Sequence, residues 1–235
     1  MQNSFNKYIE QTIRKHWDLP ALTDFQGTTY HYKDVARRMA KIHIMLEAAG
    51  IKHGDRVAIC GRNSSNWATV FFATLTYGAV AVPILHEFKP DNIHHIVNHS
   101  ESKMLFAGDA VWENLNIEKM PALNAVILLN DLSLLKTDQP ALIEVRERLN
   151  EYFGKKFPTH FRADSIQYYP DSLDELALIN YTSGSTGFSK GVMLSFRNIW
   201  SNLKFCVENL DFLQAGDGCV SMLPMAHMYG LMVEL

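Results

Sequence analysis

Cysteine is scarce in this 235-residue chain: Cys60, Cys206 and Cys219 form an odd set with no C-x-x-C spacing. That excludes a disulfide scaffold and a structural zinc site and fits a reducing compartment, the cytoplasm. Positive charge is not in excess either, since Lys+Arg 22 stand against Asp+Glu 25 for a formal net charge of −3. A strongly basic nucleic-acid binder is excluded on that count. The opening residues, MQNSFNKYIEQTIRKHW, hold no apolar run able to serve as a signal-peptide core. What is present is a globular composition, 47% hydrophobic and 20% charged, enough to bury a sizeable core.

Residues 63–85 carry no charge, and a spanning helix needs only ~20 apolar residues. Inside the stretch, however, Tyr77-Gly78 breaks the pattern, Pro83 lies near its end, and Thr69, Thr74 and Thr76 dilute it. A buried helix followed by a buried strand is the better reading, with no transmembrane segment.

Periodicity orders the rest. Residues 21–25 and 28–32 read as a hairpin turning at Gly27, after a helical lead-in. Val35, Met39, Ile42, Leu46 and Ala49 recur at helical spacing, and Gly50 stands where a left-handed cap is wanted. Then come a strand at 56–60, a helix at 65–77 and a strand at 79–85, the minimal unit of a parallel sheet. A helix at 91–99 and strands at 103–107 and 125–129 extend it. Leu142, Val145, Leu149 and Tyr152 mark one amphipathic helix in an irregular excursion over 130–172. A strand at 175–181, a Ser/Thr/Gly loop, a helix at about 196–210 and a strand at 217–223 open a second half. The expected fold is α/β, parallel sheets wrapped by helices, with residues 1–172 a first βα half and 173–235 the start of a second, incomplete one. The chain stops inside the apolar stretch Met225 to Leu235 without a cap, which reads as a chain cut short and predicts self-association.

The chemistry concentrates in Tyr181-Thr-Ser-Gly-Ser-Thr-Gly-Phe-Ser-Lys-Gly-Val192. Glycines let backbone N–H groups converge, hydroxyls donate further hydrogen bonds, and a lysine sets a positive charge on phosphate oxygens. This is a polyanion cradle. It is not the Walker loop GxxxxGK[ST]: counting from Gly184, Ser189 stands where the second glycine belongs, and Gly191 follows Lys190 in place of Ser or Thr. The hydrolase pattern GxSxG does match at Gly187 to Gly191, and Asp217 and His227 follow in hydrolase order. A nucleophile elbow, however, joins strand directly to helix, whereas loop residues flank Ser189 on both sides. Ser189, Asp217 and His227 therefore stand as the alternative reading, a serine hydrolase. His95 and His99 share a helix face, but no third ligand is indicated. They read as a solvated face, and no metal-binding residue is assigned.

The loop resembles the AMP-binding signature of the adenylate-forming superfamily of acyl-CoA synthetases, peptide-synthetase adenylation domains and luciferases. Leu223-Pro-Met-Ala-His-Met-Tyr-Gly-Leu231 is similar to that family's next motif, and Gly54-Asp-Arg-Val-Ala58 and Gly78-Ala-Val-Ala-Val-Pro83 resemble its earlier landmarks. The family usually has proline where this chain has Ser189. The resemblance implies a two-step ligase reaction: a carboxylate attacks the ATP α-phosphate to give acyl-adenylate and pyrophosphate, and the CoA thiol then displaces AMP. It implies ATP, Mg²⁺ and CoA, with Thr182, Ser183, Gly184, Ser185, Thr186, Gly187 and Lys190 on the β,γ-phosphates. His227 would line and gate the carboxylate pocket, so Lys190 and His227 are the catalytic candidates. The family's adenine-, ribose- and Mg²⁺-associated residues and its adenylation lysine lie beyond Leu235, so this chain by itself is expected to be inactive. The stretch from Val57 to Asn63 and Trp67, with the long excursion, resembles bacterial long-chain fatty-acid–CoA ligases, which implies a fatty acid as substrate and leaves peripheral membrane contact open.

Overall fold

The computed structural model describes residues 4–182, 189–210 and 214–235. Helix α1 (Phe5–Lys15) is followed by a two-stranded antiparallel hairpin, β1 (Pro20–Thr23) and β2 (Thr29–His31), then by helix α2 (Tyr32–Ala48). Gly50, at φ +69°, turns the chain out of α2 as its spacing predicts. The sheet builds from β3 (Arg56–Cys60), α3 (Ser65–Tyr77), β4 (Val80–Ile84), α4 (Pro90–His99), β5 (Ser102–Ala107), a short α5 (Asp109–Trp112) and β6 (Ala125–Leu128). Beyond it come β7 (Leu134–Thr137), α6 (Pro140–Glu147), α7 (Leu149–Lys156), β8 (Leu176–Thr182), β9 (Lys190–Ser195) and α8 (Phe196–Asn209).

Seven strands form one sheet in the order β7-β6-β5-β3-β4-β8-β9. The inner five are parallel, and the two edge strands, β7 and β9, run antiparallel to their neighbours. Strand alternation sorts the core. Val57, Ile59, Met104, Phe106 and Ile127 face α2 and α3, while Ala58, Cys60, Val82, Leu105 and Val126 join Ile93, Ile96 and Val97 of α4. Both faces are covered, which is why these strands read as continuous apolar runs.

Helix α3 settles the uncharged stretch. It is 13 residues long, well short of the ~20 a span requires. Its buried hydroxyls are satisfied locally, Thr69 donating to Ser65 O, Thr74 to Val70 O and Thr76 to Phe72 O. Among the described residues no helix is long and apolar enough to cross a membrane.

Three expectations are corrected. The single helix over 142–152 is two, α6 and α7, broken at Arg148 (φ −112°, ψ 28°). The excursion also supplies the unforeseen edge strand β7, and its Asp171 accepts from Ser4 Oγ and the N–H groups of Phe5 and Asn6, closing the start of α1. The expected strand over 217–223 does not form; these residues join no ladder, and Val220 and Met222 are 79% and 82% exposed. Apolar alternation makes a strand only against a free edge, and residues 190–195 fold back immediately after the loop to take the edge beside β8 as β9.

Candidate active site

Strand β8 and strand β9 are the two arms of a hairpin whose tip is the glycine- and hydroxyl-rich loop. The register pairs Thr182 with Lys190 and Tyr181 with Gly191. Thr182 and Lys190 are thus neighbours at the mouth, both exposed, and Lys190 has no ion-pair partner among the described residues. A hydroxyl and an uncommitted ammonium side by side suit a phosphate oxygen. Ser183, Gly184, Ser185, Thr186 and Gly187 lie outside the described residues.

The stem is set by packing. A Cβ on Gly191 would sit 2.9 Å from Ile179 Cγ2 and 3.0 Å from Tyr181 Cζ, so only glycine lets the Tyr181 ring lie across β9. Burial pushes the Tyr181 hydroxyl's pKa up, so it stays protonated, 2.7 Å from His99 Nδ1. His99 therefore does more than line a solvated helix face: it ties α4 to the strand that feeds the loop. No local pattern signals this contact, because the two residues are 82 positions apart.

His227 is exposed at the end of a turn in which its N–H donates to Pro224 O at 2.8 Å. Its Nδ1 accepts from Tyr229 N–H at 3.2 Å, leaving Nε2 uncommitted. A Cβ on Gly230 would lie 2.5 Å from Pro224 O, so glycine is required for the turn to close. Asn180, buried in β8, donates to Ala226 O at 3.0 Å and fastens the turn to the strand that ends in Thr182. The structure thus attaches both catalytic candidates, Lys190 and His227, to one strand.

Ser189, Asp217 and His227 do not form a triad. Ser189 leads into a strand rather than a helix, Asp217 accepts from Gln214 N–H, and His227 is engaged with Tyr229. None of the three bonds another, so the hydrolase alternative loses its geometry.

One feature of the site escaped the sequence reading. A cavity of about 570 Å³ opens at the carboxyl ends of β3, β5 and β6, lined by Gly61, Asn63, His86, Asp109 and Asn130 among others. It lies where β4 and β5 have left β3 on opposite sides, the switch point at which open α/β sheets take ligands. Glycines directly after two strands, Gly61 and Gly108, were the available signal. Among the described residues no group of three or more His, Cys, Asp or Glu is placed to hold a metal ion.

A mostly parallel sheet flanked by helices, with a hydroxyl- and lysine-bearing hairpin at one edge, defines an α/β domain. Residues 9–235 match the family described as AMP-binding enzyme, and the chain belongs to it. It is 30% identical over 216 residues to the peroxisomal long chain acyl-CoA synthetase 6 of Arabidopsis thaliana, covering 88% of this chain and 29% of that protein. It is 25% identical over 243 residues to the long-chain-fatty-acid–CoA ligase of Escherichia coli O157:H7, covering 96% of this chain and 43% of that one. The structure of a long-chain-fatty-acid-CoA ligase from Archaeoglobus fulgidus superposes with a TM-score of 0.74 at 22% identity over 97% of this chain and 44% of that one, a likeness of fold. The chain therefore spans less than half the length of these relatives.

Proposed function

We propose that this chain is the N-terminal part of the AMP-binding domain of a long-chain fatty-acid–CoA ligase that uses ATP, Mg²⁺ and CoA. In this reading residues 1–172 are a first βα half and 173–235 the beginning of a second. The observation that carries it is the Thr182–Lys190 pair closing a glycine- and hydroxyl-rich hairpin on the same strand that anchors His227. Relatives named as long-chain acyl-CoA ligases supply the substrate class.

The reaction joins a fatty carboxylate oxygen to the ATP α-phosphorus as pyrophosphate leaves, and the CoA sulfur then takes the acyl carbon as AMP leaves. Lys190 neutralises charge that builds on the phosphates, Thr182 donates a hydroxyl, and Ser183, Gly184, Ser185, Thr186 and Gly187 complete the cradle. His227, with Nε2 free, borders the carboxylate. Mg²⁺ would supply charge to the phosphates; among the described residues no group of three or more His, Cys, Asp or Glu is placed to hold it. Work in the cytoplasm, on a substrate that partitions into membranes, fits the chain's composition. Val220, Met222, Tyr229 and Val233 are exposed apolar residues of the last segment, and in this reading the chain self-associates through them; a concentration-independent monomer in light scattering would argue against that.

Carboxylate-dependent ATP–pyrophosphate exchange on the full-length protein tests the reading. Activity should rise with acyl chain length, since each buried CH₂ contributes ~0.8 kcal/mol in an apolar tunnel, and the 235-residue chain alone should stay at background. A kcat/KM that peaks at acetate or an aromatic acid refutes the fatty-acid assignment.

A further inference from the structure

The segment that delivers His227 has no sheet ladder to hold it. Residues 221–226 pair with no strand, yet Met225 and Ala226 are buried, so their backbone groups need partners from elsewhere. Two side-chain amides partner Met225 N–H and Ala226 O. Asn63, in the turn between β3 and α3, accepts from Met225 N–H at 2.8 Å and donates to Leu223 O at 2.7 Å, with Ser221 Oγ at 3.3 Å. Asn180 in β8 donates to Ala226 O at 3.0 Å. A primary amide presents an acceptor and donors side by side, as an adjacent strand would. Asn63 thus substitutes for the missing strand across 162 residues of sequence.

Asn63 also lines the cavity at the carboxyl ends of β3, β5 and β6, but the helix that follows it does not use its amide. The start of α3 is complete without it: Ser64 Oγ accepts from Trp67 N–H, and Asp24 accepts from both the N–H and the hydroxyl of Ser65. No hydrogen bond of Asn63 runs to its own helix. All of them run to the segment that turns at Pro224 to present His227.

We propose that Asn63, with Asn180, is a positioning residue: the two amides clamp residues 223–226 so that the first βα half fixes where His227 stands relative to the β8–β9 hairpin. The inference rests on the reading of His227 as an active-site residue. Alanine at 63 leaves Met225 N–H and Leu223 O without partners, while Asn63→Asp keeps an acceptor and sets a carboxylate against the Leu223 carbonyl.

The test uses the full-length protein with Asn63→Ala, Asn63→Asp, His227→Ala and the Asn63→Ala/His227→Ala double variant, read by ATP–pyrophosphate exchange and by hydrogen exchange at the Met225 amide. Asn63→Ala should lower kcat for adenylation by ~10-fold or more, as misplacement of a reacting group does. KM for ATP should change little, and Met225 should exchange faster. In the His227→Ala background the same substitution should have no further effect, because both changes remove one function. Losses that multiply in the double variant, or a Met225 amide that exchanges as in the parent, overturn the proposal. Should Asn63→Ala not fold, Asn63→Asp paired with His227→Ala gives the same comparison. If His227→Ala alone leaves adenylation intact, the active-site reading of His227 fails and the proposal with it, an outcome distinct from a slow His227→Ala whose loss multiplies with that of Asn63→Ala.

Discussion

Replacing Gly191 by alanine should destabilise the protein at a strand position where that change ordinarily helps. Gly191 is in the extended strand β9, outside the left-handed region. At such a site alanine usually gains ~0.4–1 kcal/mol by restricting the unfolded chain. Here the added methyl would lie 2.9 Å from Ile179 Cγ2, 3.0 Å from Tyr181 Cζ and 3.2 Å from Tyr181 Oη. The Tyr181 ring is 5% exposed, and its hydroxyl is fixed 2.7 Å from His99 Nδ1. It cannot withdraw without giving up that bond. Overpacking costs ~1–3 kcal/mol and a lost buried hydrogen bond about 1 more, so the net loss after the unfolded-state gain is ~1–3 kcal/mol. Urea titration of Gly191→Ala against the parent chain measures it, and repeating the pair in a Tyr181→Ala background removes the aromatic part of the obstacle, leaving Ile179 Cγ2. A neutral or stabilising Gly191→Ala, or an undiminished loss once Tyr181 is alanine, would refute the packing argument.

Two further outcomes follow from the site and the core. Lys190→Ala in the full-length protein should slow adenylation by about 2 kcal/mol or more through lost charge neutralisation, with a smaller effect on thioester formation from supplied acyl-adenylate. Equal loss in both half-reactions would make Lys190 a folding residue. His43, enclosed by the Tyr77 and Tyr168 rings and bonded through Nε2 to Ala73 O, has its pKa lowered from 6.5 to about 4 by burial. The folded state thus disfavours protonation: this contribution is fully present above the unfolded value and fades as pH falls from 6.5 toward 4, by at most ~3 kcal/mol at 1.36 kcal/mol per pKa unit. His43→Gln should flatten that part of the stability profile, and an unchanged acid limb in urea titrations would show that His43 is not its source.

The sequence by itself determined the elements and the loop. Strands β3 to β6 and helices α2 to α4 were legible because their signals are local: a period of two or 3.6, Gly50 after the last turn of α2, Thr residues spread along α3. The loop stood out as a candidate phosphate cradle because glycine, hydroxyl and lysine fall within one short segment. Tertiary structure alone decided which strand lies beside which. Residues 217–223 alternate like a strand but lie outside the sheet, because Lys190–Ser195 reaches the edge of β8 first. Only the fold brought His99 to Tyr181 and Asn63 to Leu223 and Met225. Each contact is a single hydrogen bond or a pair, between residues more than 80 positions apart. A polar side chain at the end of a strand looks the same in sequence whether it meets water or another segment's backbone. The difference arises only when the order of strands in the sheet sets which segments are neighbours.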